Sequence, residues 1–113
     1  MNAYRAAGAL GVAALMLWLG ALSAGASDDI EKGRALAERL CAHCHMVPGQ
    51  GEKQAANEIP GFAAVARRRN QKPEGIVLWL RSIPPMMPNH HLSQDEMYAL
   101  AAFIMTLGDA PKR

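Results

Sequence analysis

Residues 41 to 45 read Cys41-Ala42-His43-Cys44-His45, a C-x-x-C-H pattern. On a helical turn, positions i, i+3 and i+4 share a face, so both thiols and the His45 imidazole aim at one object. That arrangement suits attachment of a c-type haem. Two thiols bond the vinyl edge of the macrocycle and end as thioethers, while a neutral imidazole reaches the iron. His43, between the cysteines, points away from that face and reads as solvated.

Three other readings of C-x-x-C stand beside this one. A thioredoxin-like redox pair wants a βαβ surrounding, and no strand-like alternation flanks these residues. A zinc site must recruit His90 or His91, at no motif spacing. A disulfide between Cys41 and Cys44 is the third.

The N-terminus bears on the choice. Met1 to Arg5 carries one positive charge, Ala6 to Leu22 is an unbroken run of apolar and glycine residues, and Ala24-Gly25-Ala26 has the small-x-small pattern of signal peptidase cleavage. Residues 1–26 therefore read as an export signal and 27–113 as the mature domain. One arginine and no twin-arginine pair point to unfolded export by the general secretory route into the periplasm, with haem added outside. The alternative is a retained membrane anchor, for which the run of 17 residues is short and weakly hydrophobic.

From Ser27 to Arg113 the chain has 87 residues, enough for one domain, and only four aromatic residues: Phe62, Trp79, Tyr98 and Phe103. A core this thin needs a staple, and a covalently held macrocycle would supply one. The mature segment carries 11 basic and 10 acidic residues, a balance that argues against nucleic acid as a partner.

The pattern along the mature chain is helical. The spacing predicts a first helix over 29–44, capped by Asp28 with Glu31 three residues later, and presenting Ile30, Gly33, Ala37, Leu40, Cys41 and Cys44 on one face. A Gly/Pro loop follows from Val47 to Pro60, then a short helix over 61–69 and a break at 70–72. Pro73 suits the first turn of a third helix with Ile76, Trp79, Leu80 and Ile83 as its stripe. Pro84-Pro85-Met86-Met87-Pro88 excludes helix, because prolines remove donors and restrict the residues before them. Ser93 and Glu96 form a capping box, with Leu92 and Met97 as its hydrophobic staple, and start a last helix. Met97, Leu100, Ala101, Phe103, Ile104 and Leu107 make its apolar face, and Gly108 with Pro111 ends it.

These features together resemble the class I monohaem cytochromes c across essentially the whole mature segment. The matching residues are the C-x-x-C-H run, Gly33 eight residues before Cys41, Pro60-Gly61-Phe62, Met87-Pro88-Asn89, and the aromatic-bearing helix after Leu92-Ser93. The resemblance implies an all-α fold, the small cytochrome c fold of about four helices wrapped around one covalently attached haem c. It implies that the first and last helices cross at Gly33, near Ala102 and Phe103, since a residue without Cβ permits close approach. It also implies that the Pro60 carbonyl accepts a hydrogen bond from the His45 ring. Two positions depart from the family pattern: Ile59 stands where glycine is usual before Pro60, and Ala37 where a first-helix aromatic is common. Leu36, Leu40 and Phe103 are then expected to pack the crossing.

Four residues are candidates for the distal iron ligand: Met86, Met87, His90 and His91. By resemblance the choice is Met87, in the M-P pattern of a proline-stiffened loop, with Met86 as its rival and the two histidines read as solvated. His45 is the proximal ligand. Pro60, Phe62 and Trp79 are expected to pack against or hydrogen-bond the haem; Trp79 is either core or a donor to a propionate. Arg67-Arg68-Arg69 reads as a solvated helix end, or as cations that steer an acidic partner or neutralise propionates. Met97 and Met105 read as core filling.

The function expected is one-electron transfer by a monomeric periplasmic carrier that docks briefly with donor and acceptor redox proteins, with no nucleic acid and no membrane contact unless the signal is retained. No acid-base pair or nucleophile stands in a recognisable constellation, so no enzyme activity is expected. The alternatives are a haem subunit held permanently by a dehydrogenase or reductase, and a haem-based gas or peroxide sensor.

Overall fold

The computed structural model describes residues 25–48 and 59–109. Most of the expected export signal, the middle of the first loop and Pro111 lie outside the described residues. Among the described residues the fold is all-α, with no strand.

The first helix, α1, is helical from 25 to 41, and its last turn, Ala37–Cys41, is a π turn closed by the Ala42 N–H on the Ala37 carbonyl at 3.0 Å. Two expectations are corrected here. Asp28 lies inside the helix rather than capping it, because nothing in Gly25-Ala26-Ser27 stops the helix from beginning earlier. The helix also ends at Cys41 instead of Cys44, since the widened turn releases the chain there. Both Cys44 and His45 then donate their N–H groups to the Cys41 carbonyl, at 3.1 and 2.9 Å. One carbonyl thus holds the attachment segment in a single tight turn, beyond the helix on which the spacing placed it.

Helix α2 is short, Phe62–Ala66, and starts from an extended Gly61. It was expected to reach Arg69, yet Arg67 already leaves helical geometry and Asn70 adopts a left-handed φ of 58°. The three arginines therefore sit in an irregular turn. Arg67 Nε donates to the Gly108 carbonyl at 3.2 Å, tying this turn to the chain end.

Helix α3, Pro73–Arg81, opens with proline in its first turn, where the missing N–H costs nothing. Its expected stripe divides by role. Ile76 and Val77 are buried, whereas Trp79 and Ile83 are about half exposed, and Ile83 lies beyond the helix with φ 48°. The sequence pattern hid this because the stripe borders two surroundings, the helical core and a cavity described below.

Helix α4, Gln94–Thr106, continues into a 3-10 turn at Leu107–Asp109. Its capping box is formed as expected. The Glu96 N–H donates to Ser93 Oγ at 3.2 Å, and the Ser93 N–H donates to Glu96 Oε2 at 2.8 Å. That second bond holds the Glu96 carboxyl below the usual carboxylate range. The buried face comprises Ala99, Leu100, Ala101, Phe103, Ile104 and Leu107, and α4 packs against α3 and α2.

Helices α1 and α4 touch backbone to side chain at Gly33. A Cβ placed there would overlap the Ala99 carbonyl oxygen and stand 2.9 Å from Phe103 Cβ. The crossing therefore falls at Ala99 and Phe103, one turn earlier on α4 than Ala102. Leu36, Ala37 and Phe103 are buried, and the Arg34 guanidinium lies 5.6 Å from the Phe103 ring centroid. The guanidinium over the ring adds a cation–π contact to this crossing.

Gly33→Ala tests the crossing. Helix propensity alone favours alanine by about 1 kcal/mol, but overpacking against a backbone carbonyl costs about 1–3 kcal/mol. Chemical denaturation of the haem-loaded protein should show a net loss of stability. An unchanged or raised midpoint would mean that the helices do not meet there.

Candidate functional site

Between α1, α2, α3, α4 and the proline-rich segment lies a cavity of ≈ 710 Å³. That volume is in the range of cofactor sites, roughly 300–1,000 Å³. Cys41, Cys44 and His45 line it from the end of α1, and Ile59, Pro60 and Phe62 from the entry to α2. Ile76, Trp79 and Leu80 contribute from α3, Leu100 and Ile104 from α4, and Met86 and Met87 from the segment before α4. Every residue singled out in the sequence as a haem contact or iron ligand except Arg67 and His91 borders this one space, and all but a few of its walls are apolar.

The His45 ring is fixed. Its Nδ1 donates to the Pro60 carbonyl at 2.7 Å, which leaves Nε2 without a proton and free to act as a ligand. The Phe62 ring, buried, lies 5.1 Å from the imidazole centroid at a 39° tilt and limits its rotation. Ile59 does not prevent this turn: Met46, just after the attachment run, accepts the Phe62 N–H at 3.1 Å and draws the two segments together. Orientation of the imidazole thus comes from a backbone carbonyl and one aromatic side chain.

The rival readings of the two cysteines fare poorly. Cys41 and Cys44 are not joined to each other by a disulfide. The Cys41 thiol is pushed up to about 11, first by burial and then by the neighbouring Cys44, the reverse of the lowered values that make a redox-active pair reactive. Among the described residues, no three His, Cys, Asp or Glu side chains come together to bind a metal as zinc requires. Apolar walls, two thiols at the rim and an oriented imidazole fit a covalently attached haem.

The two methionines differ. The Met87 N–H donates to the Pro84 carbonyl at 3.2 Å, closing a turn with Pro85 and Met86 at its centre. Met86 carries φ 75°, the left-handed value that a type II turn demands of its third residue. It is fully exposed, whereas Met87 is half-buried against the cavity. Trp79 stands at the cavity wall with about half its surface exposed, so its reading as a core residue is corrected. His91 is exposed, with its N–H on Asn89 Oδ1 at 2.9 Å.

His90 departs from its reading as a solvated residue, being half-buried and part of the cavity wall. Leu80, Leu100 and Ile104 were read as helix-face residues and also prove to be cavity walls. A helical stripe marks burial without saying whether protein or cofactor does the burying. Arg68 and Arg69 reach the rim beside Gln71, the polar side of an otherwise apolar space.

Comparison with known proteins agrees with this chemistry. Residues 30–108 match the family model described as Cytochrome c. Cytochrome c-552 of Bradyrhizobium diazoefficiens is 38% identical over 85 residues, which cover 75% of this chain and 81% of that relative. No solved structure matches. Sequence, cavity and relatives converge, and the chain belongs to the cytochrome c family, electron-transfer proteins that carry a covalently bound haem c.

Proposed function

We propose that this chain is an exported one-electron carrier whose single haem c is held by His45 on the proximal side and Met87 on the distal side. The observation that carries the reading is convergence: Cys41, Cys44, the oriented His45 and the half-buried Met87 border one cavity, and Met87 arrives there on a proline-stiffened turn. Haem supplies an iron that takes up and gives back one electron.

The residues around it serve that exchange by limiting movement. Proline at positions 84, 85 and 88 lowers the freedom lost when Met87 is held in place, which suits a weak thioether ligand. The Pro60 carbonyl keeps the imidazole in one tautomer in both oxidation states. A thioether favours reduced iron and raises the potential. Leu80, Leu100 and Ile104 keep water from the cavity wall, and Arg68 and Arg69 are placed at the rim to meet acidic groups.

Export is the part of the proposal that rests on sequence, on the apolar run from Ala6 to Leu22 and the small residues after it. No helix of the described residues is long and apolar enough to cross a membrane. The donor and acceptor are redox proteins that dock transiently.

Two measurements check these assignments. The near-infrared band from sulfur to oxidised iron should vanish in Met87→Ala and persist in Met86→Ala. The potential of Met87→Ala should fall by on the order of 0.1–0.3 V, within the roughly 0.8 V that axial ligands command. A band lost only in Met86→Ala would move the ligand to the neighbouring residue. Intact mass of the exported protein under denaturing conditions should give a chain beginning at Ser27 plus one haem; retention of Met1 would favour the anchor.

A further inference from the structure

We infer that His90 is a reserve distal ligand, able to take the iron position when Met87 leaves it. The inference rests on the His45/Met87 assignment above and extends it. Three observations on the described residues carry it.

His90 is half-buried and lines the large cavity together with Met87, whereas its neighbour His91 does not. An imidazole is therefore already part of the wall from which the distal ligand comes. The backbone that bears both residues is strained at its two ends and centre: Ile83, Met86 and His91 have φ of 48°, 75° and 53°. For a β-branched residue such as Ile83 that region is a genuine outlier, held only where the surrounding structure enforces it. Positions so strained mark a segment that has another backbone conformation open to it. Finally, a second cavity of ≈ 30 Å³ lies behind the same segment, lined by Leu80, Pro84, Met87, His90, Leu92 and Met97 among others. Both Met87 and His90 border it, so packing is loose at the point where the two side chains would trade places.

Pro84 and the capping box fix the limits of the movement. Pro84 is buried and the Ser93–Glu96 bonds lock the start of α4, so only residues between them rearrange. The step is a ligand exchange: the sulfur–iron bond of Met87 breaks, the bond from a neutral His90 ring nitrogen forms, and no electron changes hands. Imidazole stabilises oxidised iron relative to a thioether, so the exchange is favoured in the oxidised protein and opposed in the reduced one. Its consequence is a site that stays six-coordinate, and closed to peroxide and small anions, even when Met87 is lost or oxidised.

The test compares oxidised, haem-loaded Met87→Ala with Met87→Ala/His90→Ala by electron paramagnetic resonance and near-infrared absorption at about pH 8, where free imidazole is neutral. Met87→Ala should remain low-spin with the signature of two imidazole ligands. The double variant should lose that signal, turn high-spin and recover a low-spin state on addition of free imidazole, which shows that its pocket is intact. Met87→Ala/His91→Ala should behave as Met87→Ala. A high-spin Met87→Ala, or a low-spin signal that survives without His90, overturns the inference. Absence of the sulfur–iron band from the unaltered protein is a separate result, and it removes the Met87 assignment instead.

Discussion

The rest of the structure depends on a cavity of ≈ 710 Å³ that the described residues build and their side chains do not fill. The space is open to solvent along part of its wall, so without an occupant it holds water. Ile76, Leu100 and Ile104 are buried by protein, but Leu80, Trp79 and Met87 would keep apolar surface wet there. So small a domain has little other apolar surface to bury in its place. An apolar macrocycle joined to Cys41 and Cys44 resolves the conflict, since a covalent bond keeps the missing part of the core from leaving.

The local features of the fold follow from enclosing that space. A π turn at Ala37–Cys41 ends α1 early and lets one carbonyl, that of Cys41, gather Cys44 and His45. Such widened turns recur at functional sites because they redirect a helix end without breaking it. Gly33 brings α1 within backbone distance of α4, and Arg67 on Gly108 ties the end of α2 to the last turn, which fixes the helices that carry the cavity walls. The segment from Ile83 to His91 closes the remaining side at the expense of three left-handed backbone conformations. Three of the four left-handed non-glycine conformations among the described residues fall in this segment, the fourth is Asn70, and the regular helices carry none.

Much of this was legible in the sequence because it is local. The Ser93–Glu96 box and the proline start of α3 each depend on neighbours within four residues, and each forms as read, whereas Cys44 and His45 lie in a turn past the helix end and still border the same cavity as Cys41. The Gly33 crossing needed the family resemblance, and even then the partner residue on α4 shifted from Ala102 to Ala99. Tertiary context decided what was missed. Arg67 leaves α2 because Gly108 offers it a carbonyl 41 positions away, and no periodicity encodes that. The burial of His90 likewise depends on how a non-helical segment folds back over α3, which alternation of polar and apolar residues cannot describe.

The central claim is that haem is part of the hydrophobic core and not a passenger in a finished fold. Far-ultraviolet circular dichroism with thermal unfolding of Cys41→Ala/Cys44→Ala, prepared without haem, tests it most directly. The account predicts loss of most helical signal and no cooperative transition, because α1, α3 and α4 have too little apolar surface to bury against one another alone. Near-native helix content with a sharp transition would contradict it and make the protein core self-sufficient.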